Sequence, residues 1–181
     1  MKAPEKIETA RLLLHRPTHG DLQAIYERYA SDPEVTRYLA WPRHQSITDT
    51  ESFFTFSEVE WRRWSVGPYL VRSRADQTLL GSTGLSLESP ERASTGYVFA
   101  RDAWGHGYAS ECVSAMIDLA KALGLRRVYA LCHTEHRASV RVLEKATFIR
   151  EKLLPQHIVF PNLGTDGPSD VFCYARNPSG A

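Results

Sequence analysis

The sequence predicts an α/β (α+β) protein. It has one mixed, mostly antiparallel central sheet of about seven strands with helices on both faces, folded as a single domain over residues 1–181. Three observations predict this. Apolar stretches of strand length are interspersed with longer stretches of helical period, with no internal repeat and no low-complexity segment. The strands in the middle of the chain are joined by short turns, which makes them an antiparallel meander. The later strands alternate with helices, and one of them, Arg127-Val128-Tyr129-Ala130-Leu131-Cys132, is nearly all apolar, as a strand covered on both faces must be.

The elements follow in order. Leu12 to Arg16 is a first strand, stopped by Pro17. Thr18 and Asp21 form a helix start, and Leu22, Ile25, Tyr26 and Tyr29 recur at i, i+3, i+4 and i+7 behind it. Asp32-Pro33-Glu34 begins a second short helix with proline at its first position. Trp41-Pro42-Arg43-His44 is a loop. Thr48 and Glu51 read as a capping box for a helix to about Trp64, whose Phe53, Phe56 and Trp64 read as its core face. Tyr69–Ser73 and Leu79–Leu87 are strands around the turn Arg74–Gln77, with Gly84 marking a bulge. Residues 88–92 turn the chain into a strand ending at Ala100. A helix runs from about Gly107 to Leu123 with Val113, Met116, Ile117 and Ala120 on one face, and Gly124 ends it. After the apolar strand come a helix over about His136–Ala146, a strand Phe148–Leu154, a Pro/Gly-rich loop Pro155–Ser169 long enough to suggest function, and a last strand Asp170–Arg176.

Composition sets limits. With 22 basic and 21 acidic residues the formal charge is +1, which gives no electrostatic case for nucleic acid. No apolar run reaches the roughly 20 residues that span a membrane, and the N-terminal residues lack a secretory apolar stretch. Cys112, Cys132 and Cys173 are isolated, odd in number and in apolar surroundings, so buried free thiols and a cytoplasmic location are expected. Neither CxxC nor HExxH occurs, so no metal is expected.

One segment stands apart. Trp104-Gly105-His106-Gly107-Tyr108-Ala109-Ser110-Glu111 joins a strand to a helix, with small residues at alternate positions. Glycine lets a ligand approach the main chain. The first N–H groups of a helix have no partner inside it, and that end of the helix is positive. A strand, a small-residue loop and a helix N-terminus together make a phosphate cradle.

With this order of elements, four segments resemble the GNAT superfamily of acetyl-CoA-dependent N-acetyltransferases, and within it the RimJ/RimL-type branch. They are Glu8–Leu14, Gly96-Tyr97 with Trp104–Glu111, Ala138–Lys145 with Phe148, and Asp170–Tyr174, and the resemblance covers about Ile7 to Arg176. It implies acetyl-CoA as cosubstrate, bound by Val98, Phe99, Ala100, Trp104, Gly105, His106, Gly107, Tyr108, Ala109, Ser110, His136 and Ser139. The chain departs from the family pattern at four places. Trp104 begins the loop, His136 replaces an asparagine, Thr147 replaces a glycine, and Ser94 stands where members often carry a glutamate.

Acetyl transfer requires a neutral amine at the thioester carbon, donors for the oxyanion and a proton for the departing thiolate. Val98 or Phe99 would supply backbone N–H groups. The catalytic candidates are Ser139 and Tyr108 for the thiolate, with Ser139 preferred, and His136 as a proton acceptor beside His133, Glu88 or Glu91. Arg101, Arg137 and Arg141 are in reach of nucleotide phosphates. The resemblance places the acceptor between the early helices and the late loop, giving the rim Trp41, Arg43, His44, His157, Phe160 and Asn162. That rim is aromatic, polar or basic, which favours a protein or peptide N-terminus over a polycation; Asp166 and Asp170 flank it. The expected partners are acetyl-CoA and an amine, with the chain a monomer or homodimer. The alternatives are a small-amine acetyltransferase (amino acid, polyamine or antibiotic), a non-catalytic acyl-CoA-binding sensor, and a phosphate-loop nucleotide binder. The last lacks both GxxxxGK[ST] and a βαβ unit before the loop.

Overall fold

The structure, a computed structural model, describes residues 2–165 and 167–180; Asp166 lies outside them. Its sheet has eight strands in the order β1-β2-β3-β4-β5-β6-β8-β7. Their ranges are β1 Lys6–Glu8, β2 Leu12–His15, β3 Pro68–Ser73, β4 Leu79–Ser89, β5 Arg92–Phe99, β6 Arg127–His133, β7 Ile149–Val159 and β8 Pro168–Arg176. Every pairing is antiparallel except β5 with β6. The extra strand is β1, three residues at the sheet edge with two charged side chains, too short to carry an apolar signal.

The helices are α1 Leu22–Ile25, continued by a π-helical turn Tyr26–Ala30, then α2 Pro33–Thr36, α3 Ile47–Trp64, α4 Tyr108–Ala122 and α5 Arg137–Lys145. Asp21 starts the first segment as expected: its carboxylate accepts from the Thr18 N–H at 2.9 Å and the Thr18 hydroxyl at 2.7 Å. Asp32 caps α2, accepting from the Glu34 and Val35 N–H groups. The cap of α3 lies two residues earlier than Thr48 and Glu51. Ser46 and Asp49 form the box, with the Asp49 carboxylate accepting from the Ser46 and Gln45 N–H groups.

Successive strand residues face opposite sides of the sheet, so there are two cores. Tyr69 and Val71 join a large one with Met116, Ile117 and Leu143, while Leu70 joins a smaller one with Ile25, Tyr29 and Val35. On α3 the buried positions are Thr50, Phe54, Ser57, Glu60 and Trp61. Phe53 and Trp64 are only partly buried against the cores, and Phe56 is 48% exposed. The buried face of α3 therefore runs through Phe54, Ser57 and Trp61 rather than Phe53, Phe56 and Trp64.

Two local expectations change. Gly84 is not a bulge: it sits in register between Gly96 and Pro68, and the ladders slip instead at Val71/Arg72 and Leu87/Ser89. A side chain at Gly84 would meet the Pro68 Cα at 2.9 Å, so close strand approach explains the glycine. The late loop is also shorter. Strand β7 runs past a bulge between Leu154 and Ile158 to Val159, and β8 starts at Pro168. Helix α5 ends in a Schellman motif: Phe148 N–H donates to Leu143 C=O and Thr147 N–H to Glu144 C=O. Thr147 holds φ at 59°, where glycine is unstrained and a β-carbon costs about 1–2 kcal/mol.

Candidate active site

Strands β5 and β6 pair only at Arg92–Ser94 with Arg127–Tyr129. Beyond that point both continue but part from each other, and a cavity of about 360 Å³ opens between them, lined by Thr95–Val98 on one side and Ala130–His133 on the other. On its far side β5 stays bonded to β4. Ala100 N–H donates to Leu80 C=O at 2.8 Å, and Ser82 is registered with Val98. In an antiparallel ladder the bonded residues alternate, so Val98 and Ala100 turn their donors to β4, while Tyr97 and Phe99 turn theirs to the gap. Of the strand residues expected to bind the cofactor, Val98 and Ala100 thus turn their donors to β4, and the N–H groups that face the gap are those of Tyr97 and Phe99.

The loop after β5 is shaped by two glycines in left-handed conformation, Gly105 at φ 78° and Gly107 at φ 79°. Gly107 is the N-cap of α4, and the first helical bond is Glu111 N–H to Gly107 C=O at 3.2 Å. Among the described residues no acceptor meets the N–H groups of Gly105 to Ser110. Their partial charges, at the positive end of a 15-residue helix, form a site for an anion. A β-carbon at Gly105 would enter open space, so its absence leaves room for a ligand rather than for protein.

A clamp missed by the sequence reading holds this loop. The Arg11 guanidinium donates to the His106 carbonyl at 2.8 Å and to the Glu111 carboxylate at 2.7 Å, and lies 4.7 Å from the Tyr108 ring centre. Glu111 also accepts from the Arg11 N–H and the Thr9 hydroxyl. Burial pushes the Glu111 carboxyl up, but the hydrogen bonds from Thr9 and Arg11 outweigh it and hold it below its usual range. The first turn of the chain thus orders the cradle, which gives a physical reason for the Thr9–Arg11 segment. His106 and Tyr108 stack at 5.5 Å, His106 Nδ1 donates to the Trp104 carbonyl, and the Trp104 indole donates to the Phe99 carbonyl.

On the cavity wall, Ser139 Oγ lies 2.8 Å from the Tyr97 hydroxyl. Burial pushes the Tyr97 hydroxyl up, so it stays protonated. Cys132 also lines the cavity, its thiol donating to the His133 and His136 carbonyls and pushed up by burial. Of the catalytic candidates, Ser139 and His136 meet in the cavity. Tyr108 does not line it; Tyr97, unforeseen in this role, stands beside Ser139 instead. His136 stacks on Tyr38 at 4.8 Å, and burial, reinforced by His133, lowers it to about 4. It is neutral at pH 7 and a weak proton acceptor. His133 is lowered too, chiefly by burial, and its Nδ1 accepts from Glu135 N–H. Glu88 and Glu91 lie outside the cavity, paired with Arg92 and Arg126.

Arg101 is engaged with Asp32 at 2.8 Å, whereas Arg137 and Arg141 are exposed on α5. The rim divides. Trp41 and Phe160 line the cavity, His157 is exposed on β7, and His44 is bonded to Thr50. Asn162 is a staple: it accepts from the Arg43 N–H and donates to the Thr36 and Trp41 carbonyls, tying the early loop to the late one. Among the described residues no cluster of His, Cys, Asp or Glu could hold a metal ion, and no helix is long and apolar enough to cross a membrane.

Residues 11–149 match the acetyltransferase (GNAT) domain family. The chain belongs to this family. The uncharacterized N-acetyltransferase YoaA of Bacillus subtilis is 32% identical over 178 residues, covering 94% of this chain and 96% of the relative. A GNAT-family acetyltransferase of Bacillus anthracis superposes with a TM-score of 0.82 at 26% identity, over 96% of this chain and 99% of that one. The ribosomal L7/L12 alpha-N-protein acetyltransferase RimL, in complex with coenzyme A, superposes with a TM-score of 0.84 at 21% identity over 96% of this chain and 98% of that one. The superposition covers the eight-stranded mixed sheet and its helices as one fold.

The cradle fits an anionic diphosphate at the α4 N-terminus. The unpaired donors of Tyr97 and Phe99 fit an extended, amide-bearing arm entering the gap.

Proposed function

We propose that this GNAT enzyme transfers the acetyl group of acetyl-CoA to a primary amine by direct attack in a ternary complex. The observation that carries the proposal is the parting of β5 from β6 with a cavity that reaches both faces of the sheet. Tyr97 and Ser94 are an odd number of residues apart, so they face opposite sides. Tyr97 meets Ser139 of α5, on the side of the cradle; Ser94 and Ser86 face the side of α3. Donor and acceptor approach from opposite faces and meet in the gap, which supplies the positioning that dominates such reactions.

In this scheme the N–H groups of Gly105 to Ser110 hold the diphosphate, aided by the exposed Arg137 and Arg141. The Tyr97 and Phe99 N–H groups hold the thioester arm and the oxyanion. The amine forms the C–N bond as the C–S bond breaks. Ser139, held by the Tyr97 hydroxyl at 2.8 Å, gives its proton to the departing sulfur and is reprotonated by the second proton that the nitrogen loses, while Tyr97 keeps its own. His136 is a neutral wall against which the acceptor packs. The acceptor is a protein or peptide N-terminus, entering between Trp41 and Phe160. Incubation with acetyl-CoA and a panel of peptides, amino acids, spermidine and kanamycin, with detection of free thiol, tests the proposal. Turnover on a peptide N-terminus is the expected result; thiol release on none of them counts against the transferase, and acetyl-CoA binding without release supports a sensor.

A further inference from the structure

Glu60 lines the cavity from helix α3 and is only 9% exposed. Its one hydrogen bond among the described residues is from the Ser86 hydroxyl at 2.9 Å, and no lysine, arginine or histidine pairs with it there. A buried carboxylate without a cation is costly unless something neutralises it. Among the described residues it is also the only carboxylate that lines this cavity.

Its surroundings describe the missing cation. Ser86 is registered with Ser94, and the next cross-strand pair on that face is Gly84 with Gly96, two residues or about 7 Å along the strands. No side chain rises from that pair. A β-carbon placed on Gly96 would meet nothing within 4 Å, so the glycine leaves a floor of open space leading from Glu60 toward the gap. Tyr38, Trp41 and Phe56 line the same cavity, and aromatic faces attract cations.

We infer that Glu60 receives the ammonium group of the acceptor and takes its proton, with the acceptor lying over Gly96. The inference rests on the acetyltransferase proposal above and names the acceptor class: an amine with one positive charge at the reacting nitrogen. A polycation asks for further carboxylates, and among the described residues no other lines the cavity. The step balances. The ammonium loses two protons in becoming an amide. One passes to a Glu60 oxygen, directly or through a water, and then to solvent; the other ends on the sulfur. The lone pair freed by the first loss forms the C–N bond, and the C–S electron pair leaves with the thiolate.

The test compares the unsubstituted protein with Glu60→Gln, Glu60→Asp and Gly96→Val. Glu60→Gln keeps the shape and a partner for Ser86 but cannot accept the proton. Its kcat/KM for the acceptor should fall by about 10²-fold or more, the usual contribution of a positioned acid or base, with acetyl-CoA affinity by calorimetry within twofold. Glu60→Asp should recover part of the loss, which a packing role alone would not restore. Gly96→Val should raise the acceptor KM at least tenfold, again without loss of acetyl-CoA affinity. Acceptor kcat/KM within threefold in Glu60→Gln, or equal losses in Gln and Asp, overturns the role of Glu60. Absence of thiol release by the unsubstituted protein with every amine counts instead against the transferase proposal itself.

Discussion

Gly107→Val separates the two things Gly107 does. The residue sits at φ 79° and ψ 7°, so a β-carbon there costs about 1–2 kcal/mol of stability. In a chain of this size each kcal/mol lowers Tm by about 2–4 °C, so a loss of about 2–8 °C is expected, with the protein still folded at 25 °C. Affinity should fall much further. A β-carbon at Gly107 meets only Arg11 at 3.6 Å, so the branched side chain goes into the space the diphosphate would take. Losing two hydrogen bonds to a charged group at about 1.5 kcal/mol each gives roughly 3 kcal/mol, or a Kd for acetyl-CoA raised more than 10²-fold. The matched control lies at the other end of the same helix. Gly124 also holds φ at 79°, with nothing within 4 Å of a β-carbon, and closes a Schellman motif through Leu125 N–H to Ala120 C=O. Gly124→Val should lose similar thermal stability and no affinity. Calorimetric titration with acetyl-CoA and a thermal melt on both variants suffice. Affinity within threefold in Gly107→Val, or an equal affinity loss in Gly124→Val, refutes the cradle.

Ser139→Ala should lower kcat by about 10²-fold while changing acetyl-CoA affinity little, because a group that protonates the leaving sulfur acts in the transition state; an affinity loss with kcat intact would make Ser139 a positioning residue. His136 gives a pH dependence. Its folded-state value of about 4 lies below the ordinary histidine value of 6.5, so the unfolded chain binds more protons between those limits and stability falls as pH drops from about 6.5 to 4. His136→Gln should flatten that slope in melts recorded from pH 4 to 7, and an unchanged slope would show that His136 titrates normally.

The meander, the cradle and the order of helices were legible because each rests on local signals: strand-length apolar runs, short turns, and glycines at positions that need positive φ. What escaped is non-local. Strand β1 is three residues long and gains its place only by pairing with β2. Arg11 and Glu111 meet across 100 positions of sequence. The sequence offers Ser94 where the family often has a glutamate, and Glu88 and Glu91 as the nearby acids; the structure instead brings Glu60 from α3 to Ser86, opposite Ser94. A signal for it did exist. Thr50, Phe54, Ser57 and Trp61 mark the buried face of α3, and Glu60 is an acid on that face. Tyr97 carries no such signal in the sequence beyond its place in the Gly-Tyr pair, because its partner Ser139 lies 42 residues away.

The central claim, direct transfer across the gap, has one competitor inside the same cavity. Cys132 lines it and a thiol can carry an acetyl group, although burial pushes this one up and away from thiolate. Initial rates measured over a grid of acetyl-CoA and peptide concentrations decide between them. Intersecting double-reciprocal lines, with no label retained on protein incubated with radiolabelled acetyl-CoA alone, are the predicted result. Parallel lines with acetyl bound to Cys132 would contradict it.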